Sequence, residues 1–284
     1  MSIWLRFWGV RGSIPAPGPD TARTGANTPC VEVTCEEDVV ILDGGSGLRR
    51  LGNDLLDRQR RGVQATLLFS HVHWDHIQGL PFFAPLYQET SSLVLRGAGS
   101  LEDALRQQMR PPNFPVSLAD VPASIRFEPV IVGSRFEVGR FAVTSAPLHH
   151  PAGCAAFRLD ALGRSIVYAT DTEPRGVEEL DGGLVELARG ADVLIHDAQY
   201  TEAEYRGVDG TPRRGWGHST WQDAVRVARA AKVDRLILFH HDPARDDEAV
   251  EQLEREARVE WRKTTAAHEG LEIQLQSCVR RRAA

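Results

Sequence analysis

The segment His71-Val72-His73-Trp74-Asp75-His76 follows directly on the apolar run Thr66-Leu67-Leu68-Phe69-Ser70. No other feature constrains the fold of this chain as strongly. The apolar run reads as a strand, and side chains alternate along a strand, so His71 and His73 point the same way. Once the chain turns at Trp74, Asp75 and His76 can aim at a point a few Å away. Neutral imidazole offers a ring nitrogen to a metal, and a carboxylate adds charge and a hard oxygen. One loop therefore holds ligands enough for two metals. The plain alternative is a polar turn capping a strand, with the imidazoles bonded to nearby carbonyls. It would leave four polar groups of a single loop in need of partners, and unpaired buried polar groups are costly.

Composition limits the classes of partner. Hydrophobic residues make up 42% and charged residues 25% of the 284. That is ordinary globular usage, which argues against disorder and allows a substantial core. The formal net charge of −6 disfavours long nucleic acid, whose binding needs clustered cations. Only Lys232 and Lys263 are lysines; the other basic residues are arginines, a trait of genome composition rather than of function. The tail Arg280-Arg281-Arg282 reads as a solvated basic end. Cys30, Cys35, Cys154 and Cys278 form no CxxC pair, so neither a disulfide framework nor a zinc–thiolate site is expected. The start lacks a basic region followed by a long apolar stretch, and no run approaches the ~18 apolar residues of a membrane span. The expectation is a reducing, cytoplasmic setting without a membrane partner. Base rates for homo-oligomers make a homodimer the default.

No repeat, low-complexity tract or linker divides the chain, so residues 1–284 read as one domain. Strands are expected at 3–8, 30–34, 38–42, 65–69, 93–96, 141–145, 155–159, 165–169, 191–196 and 235–239. The second and third form a hairpin, as do 155–159 and 165–169 around Leu162-Gly163. Helices are expected from the turn Gly44–Gly47 to about Arg60, with Leu48, Leu51 and Leu55 on one face, and over 101–109. Proline lacks an amide proton, so the run from Pro111 to Pro115 cannot continue the second of these. A further helix spans 221–231, with Ser219 or Thr220 as N-cap and Gln222 or Asp223 completing a capping box. Asp246 caps a last helix whose Val250, Leu253 and Ala257 share a face. Strands come first with hairpins and then with helices interposed, in both halves, which implies two packed sheets covered by helices.

Other expected strands also end in groups that can bind metal. The strand from Phe141 leads to His149-His150-Pro151, that from Ser165 to Thr170-Asp171-Thr172-Glu173, and that from Arg235 to His240-His241-Asp242. Taken with HxHxDH, this order resembles the metallo-β-lactamase superfamily, specifically its phosphodiesterase branch, over essentially the whole chain from Phe7-Trp8-Gly9 to His240. The resemblance implies an α/β fold, a four-layer αββα sandwich of two mixed β-sheets flanked by helices. It also implies one metal held by His71, His73 and His150 and a second by Asp75, His76 and His240, with Asp171 bridging them. Asp43, in Asp43-Gly44-Gly45, matches the family's early Asp-Gly, a structural support near the metals. The resemblance favours His150 over His149, because the family pattern places the histidine directly before Pro-x-Gly, here Pro151-Ala152-Gly153; His240 is preferred to His241 because it comes first after its strand. His149 and His241 are then supporting or surface residues.

Two divalent ions about 3.5–4 Å apart can share a hydroxide that attacks phosphorus, the pKa of bound water falling to about 7. Nitrogen and oxygen donors suit Zn2+ first, with Mn2+ or Fe2+ as alternatives. Gly217-His218-Ser219-Thr220 resembles a segment of tRNA 3′-processing nucleases, which makes His218 the candidate general acid or phosphate stabiliser; the plain alternative is that it orients the cap of the next helix. Asp75 is the other expected catalytic residue. His196-Asp197 is expected to supply a supporting hydrogen bond. Those nucleases carry a long arm between the third histidine and the bridging aspartate, whereas only 20 residues lie between His150 and Asp171. The expected substrate is therefore a small phosphodiester, a cyclic nucleotide or phosphoribosyl cyclic phosphate. Arg11, in the glycine-rich first loop, and the segment from Gln108 to Phe114 are candidates for lining a substrate pocket; simple loop packing is the commoner alternative, and they stay outside the catalytic set. The alternatives are a lactonase, thioesterase or β-lactamase on the same fold, or a non-catalytic metal-binding sensor. The sensor would be expected to lack a ligand, and all seven are present.

Overall fold

The computed structural model describes residues 1–176, 179–208 and 210–278; Arg280–Arg282 lie outside them. The first sheet takes β1 (Ser2–Gly9), β2 (Cys30–Cys35), β3 (Asp38–Leu42), β4 (Gln64–Phe69), β5 (Ser92–Gly97) and β6 (Ser124–Pro129). The second takes β7 (Arg135–Val138), β8 (Phe141–Leu148), β9 (Cys154–Ala161), β10 (Arg164–Ala169), β11 (Val193–Asp197), β12 (Arg235–Phe239) and β13 (Thr264–Ala266). β14 (Glu272–Gln276) returns to the edge of the first sheet. The orders are β14-β1-β2-β3-β4-β5-β6 and β13-β12-β11-β10-β9-β8-β7.

The two sheets repeat one plan. β3 to β6 run parallel in the first, as do β10 to β13 in the second, and the remaining neighbours pair antiparallel. In sheets with parallel strands, ligands collect outside the carboxyl ends of those strands. Most residues of interest follow β3, β4, β10, β11 and β12, on the two parallel halves, while His150 follows β8 in the antiparallel part of the second sheet.

Apolar side chains from both sheets close the space between them. Phe7, Val33 and Leu42 come from one side, and Phe157, Tyr168, Ile195 and Phe239 from the other. Among the described residues there are seven α-helices, several of which cover the outer faces: α1 (Leu48–Arg58), α2 (Trp74–Ile77), α3 (Leu101–Gln108), α4 (Gly182–Ala188), α5 (Glu202–Arg206), α6 (Trp221–Ala231) and α7 (Asp247–Glu260). Leu48, Leu51 and Leu55 of α1 pack with Leu67 and Leu93 of the first sheet, each such side chain contributing about 1.5–3 kcal/mol when fully buried. α4, α6 and α7 cover the second sheet through Leu184, Leu187, Val225, Ala228 and Leu253. The result is the expected four-layer αββα sandwich. No helix among the described residues is long and apolar enough to cross a membrane.

Local signals placed several elements well. Thr220 caps α6, with Asp223 completing a reciprocal capping box, and Asp246 caps α7 by accepting from Ala249 N–H. Other expectations need correction. β8 runs to Leu148, past the expected end at Ser145, with Pro147 opposite Ala155 of β9. The β7 register stops at Thr144, so the missing amide proton of Pro147 faces an open edge where proline is tolerated. β6, β7, β13 and β14 were not expected, although Ile125 and Phe127 of β6, Phe136 and Val138 of β7, and Ile273 and Leu275 of β14 alternate with polar residues. These runs, four to six residues long and largely exposed or half-buried, were passed over.

Candidate metal centre

Each side chain of the centre is aimed by the element before it. β4 ends at Phe69, and His73 adopts extended backbone just before the single turn of α2, which carries Asp75 and His76. Across the cleft, Asp171 follows β10 and His240 follows β12, both in the left-handed region at φ 52° and 63°. Asp43, after β3, has φ 59°. Such backbone is disfavoured for non-glycine residues and persists only where surroundings enforce it. Here it turns a side chain sharply at a strand end.

Two donor sets result, and Asp171 belongs to both. His73 Nδ1 lies 3.0 Å from His150 Nε2, while Asp171 Oδ2 lies 3.5 Å from His71 Nε2 and 3.8 Å from His150 Nε2. On the other side Asp171 Oδ1 is 3.3 Å from His76 Nε2 and 3.2 Å from His240 Nε2. Asp75 Oδ2 is 3.3 Å from His76 Nε2 and 3.2 Å from His240 Nε2. Donors arranged tetrahedrally around an ion at ~2.0–2.1 Å sit roughly 3.3 Å from one another. Both sets have that spacing, and the two oxygens of one carboxylate face different sets.

The remaining hydrogen bonds fix which ring nitrogen points inward. His76 Nδ1 lies 2.8 Å from Asp43 Oδ2, and a carboxylate only accepts, so Nδ1 carries the proton and Nε2 is left for a ligand bond. His150 Nδ1 faces the Gly217 carbonyl at 2.8 Å and His240 Nδ1 faces Gln199 Oε1 at 2.9 Å, with the same consequence. Asp43 is itself held by Ser70 N–H and Oγ–H at 2.7 Å and by the Tyr168 hydroxyl at 2.8 Å. Ser13 N–H donates to Asp75 Oδ2 at 2.7 Å. Close approach requires glycine at two points. A Cβ on Gly12 would lie 2.4 Å from the His240 ring, and one on Gly217 would lie 2.3 Å from His150 Nδ1.

The residues present fit divalent cations. His71 Nε2 and His76 Nε2 are buried without a hydrogen-bond partner, an arrangement native proteins avoid unless a ligand satisfies it. Burial penalises charge on Asp171, yet His240, His76 and His71 hold its carboxyl well below the ordinary value. Burial also opposes charge on His76, and Asp171, Asp75 and Asp43 raise it well above the usual imidazole value in spite of that. The carboxylate field thus attracts positive charge, which a metal satisfies by displacing the proton.

His218 and Asp197 form a third wall. His218 Nδ1 lies 2.9 Å from Asp197 Oδ2, and its ring stacks on His240 with centroids 4.9 Å apart. Burial opposes protonation of His218, but Asp197 and then Asp171 and Asp75 push its pKa up to about 9. Asp171, Asp197, His218 and His240 also lie close enough to count as a donor group. Since Asp197 occupies Nδ1, we read that pair as a proton-holding unit rather than as ligands.

The structure thus brings together His71, His73, Asp75, His76, His150, Asp171 and His240, with His218 beside them. Neighbouring expectations fare differently. His149 is exposed, turned to the Glu173 carbonyl at 3.1 Å. His241 is no surface residue: it is fully buried, with Nε2 on the Ala267 carbonyl at 2.9 Å. For Arg11 the loop-packing reading holds: it is fully buried and donates to the carbonyls of Gly25, Asp242 and Arg245. Gln108 donates to the Ile77 carbonyl beneath α2, and Phe114 packs on the exposed Phe82. Sequence reasoning missed Gln199, which orients His240, and the roles of Ser13 and Glu173. A polar residue two positions past β11 was the only signal for Gln199.

Comparison with known proteins agrees with this architecture. The family described as the Beta-lactamase superfamily domain matches residues 39–241. A ribonuclease Z from Gemmatimonas aurantiaca is 28% identical over 331 aligned positions, covering 97% of this chain and 96% of that protein. Zinc-bound PqqB from Methylobacterium extorquens superimposes with a TM-score of 0.74 at 17% identity, over 96% of this chain and 100% of that one. A diphosphatase of the PhnP family gives 0.72 at 19% identity, over 98% and 100%. At those identities the two solved structures speak for the fold alone. The family match spans most of the chain, ending on the histidine pair after β12, and the chain belongs to the beta-lactamase superfamily.

Proposed function

We propose that this chain is a metal-dependent hydrolase of phosphodiester bonds that works with two divalent ions, zinc first, on small cyclic phosphates. The observation that carries the proposal is the Asp171 carboxylate, with one oxygen turned to each donor set. Bound there, two divalent cations would supply Lewis acidity toward phosphoryl oxygens and lower the pKa of water. Asp171 and Asp75 fix the spacing and charge of the site, while Asp43, Gln199 and the Gly217 carbonyl hold the imidazoles in register. Asp197 occupies His218 Nδ1, so Nε2 is the atom that delivers a proton to a departing alkoxide, a contribution of typically 10²–10⁴-fold.

Phosphoester rather than carbonyl chemistry is supported by this proton donor and by the similarity to proteins named ribonuclease Z. A small substrate is supported by the interval from His150 to Asp171, which the β9–β10 hairpin fills, and by the net charge of −6. The alignment with the Gemmatimonas protein is longer than this chain, so that relative carries segments absent here. RNA cleavage is the second reading, favoured by identity that extends over nearly the whole of both chains.

The test is turnover of zinc-loaded protein on bis-p-nitrophenyl phosphate, cyclic nucleotides, phosphoribosyl cyclic phosphate, a 3′-extended tRNA precursor and nitrocefin. Hydrolysis of the small cyclic esters is expected. Faster cleavage of the tRNA precursor would select the second reading, and activity confined to nitrocefin would sink both.

A further inference from the structure

The turn Gly215-Trp216-Gly217 precedes His218 and does more than connect. Trp216 is 53% exposed, whereas Gly217 to Trp221 are buried. Both flanking glycines lie in the left-handed region, at φ 84° and 88°, and lift the indole on a tight turn. The turn is also tied down. The buried Glu173 carboxylate accepts Gly215 N–H at 2.7 Å, Gly217 N–H at 2.9 Å and the Tyr205 hydroxyl at 2.6 Å. Hydrogen bonds to a buried carboxylate are the strong kind, and a ring held in advance loses little freedom on binding. Trp216 lines an open cleft of about 380 Å³ with Ser13, Gln199, His218, Asp242 and Pro243. His218, stacked on His240, joins this cleft to the metal centre.

We propose that the cleft is a subsite for the planar ring of a nucleoside, with Trp216 as its stacking platform and Glu173 as the residue that positions it. This rests on the phosphodiester reading of the metal centre and narrows its substrate class to phosphodiesters that carry a nucleobase. Indole offers a π-face to any base, while the Ser13 hydroxyl and the Asp242 carboxylate offer partners to the polar edges of a heteroaromatic ring. A volume near the lower end of ligand pockets, roughly 300–1,000 Å³, suits one nucleoside and not a polymer.

The experiment is calorimetric titration of metal-loaded protein with AMP and with ribose 5-phosphate, which keeps the phosphate and sugar but lacks the base. Wild type should bind AMP more tightly. Trp216→Ala should weaken AMP by roughly 5- to 150-fold, the range of base–aromatic stacking, while changing ribose 5-phosphate little. Trp216→Phe should keep most of the affinity, and Glu173→Gln should fall between. Failure to bind AMP, equal affinities for the two ligands, or parallel losses of both in Trp216→Ala overturn the subsite. Hydrolysis separates this from the reading beneath it. A protein that prefers AMP through Trp216 yet cleaves no phosphodiester keeps the subsite and loses the phosphodiesterase. One that cleaves bis-p-nitrophenyl phosphate without that preference does the reverse.

Discussion

The two sheets reach the metal centre by different means. The first delivers four candidate donors from one loop after β4, while the second delivers three from the ends of β8, β10 and β12. In the loop, the strand pleat and one turn of α2 aim the side chains, and none of residues 71–76 has positive φ. In the second half the chain must be bent, and both Asp171 and His240 are left-handed. Ligands close in sequence can be aimed by regular geometry. Two of the three donors far apart in sequence, Asp171 and His240, are aimed by locally strained backbone that the packed sheets hold in place.

Each donor set takes ligands from both halves, and this can be broken most severely at the residue they share. Asp171→Ala should empty both sets, and elemental analysis should show less than one ion per chain. Turnover of bis-p-nitrophenyl phosphate should fall by more than the ~10²–10³-fold typical of losing one electrostatic contact. His218→Ala spares both sets. It should keep the ion content and lose about 10²–10⁴-fold with alkyl leaving groups, with a smaller loss for p-nitrophenolate, which needs no proton; equal losses for both would remove the acid role.

A milder change probes support within the first half. Asp43→Asn keeps the shape beneath His76 but gives up a charge, and should lower metal affinity about 10–100-fold, read by competition with a chelator. The smallest effect concerns a tie between the halves. Asp247, at the start of α7, accepts from Arg23 N–H at 2.9 Å and Thr24 N–H at 2.8 Å. Burial opposes its charge, but these amides outweigh burial and hold its carboxyl below the ordinary value. A depressed carboxyl stabilises the fold above the unfolded pKa, about 3.9, and that contribution is lost as pH falls through the folded value. Asp247→Ala should therefore lower stability by about 1–3 kcal/mol at pH 7. The gap in Tm should close in acid; a gap that widens there would contradict the assignment.

The same contrast explains what could be read in advance. His71 to His76 were legible because one strand and one turn determine where they point. Asp171 and His240 stood out as polar residues at strand ends, but their partition between two donor sets came from the family resemblance, since nothing local says which strands are neighbours. For Arg11 and His241 two readings stayed open, Arg11 as pocket wall or loop packing and His241 as support or surface. A charged or titratable loop side chain does not reveal locally which holds, and only the tertiary structure shows carbonyls converging to bury it. The edge strands β6 and β14 were overlooked although Ile125 and Phe127, and Ile273 and Leu275, alternate with polar residues, a short signal with no polar group of interest at its end. Gln199 and Glu173 act through hydrogen bonds to residues distant in sequence, His240 in one case and Tyr205, Gly215 and Gly217 in the other, which leave no periodic trace.

The most direct test is titration of metal-free protein with Zn2+ while turnover of bis-p-nitrophenyl phosphate is followed. Activity should rise to a plateau at two equivalents per chain, and His240→Ala should bind one ion and stay nearly inactive. A plateau at one equivalent, or two bound ions without phosphodiester hydrolysis, would contradict a two-ion centre shared between the sheets.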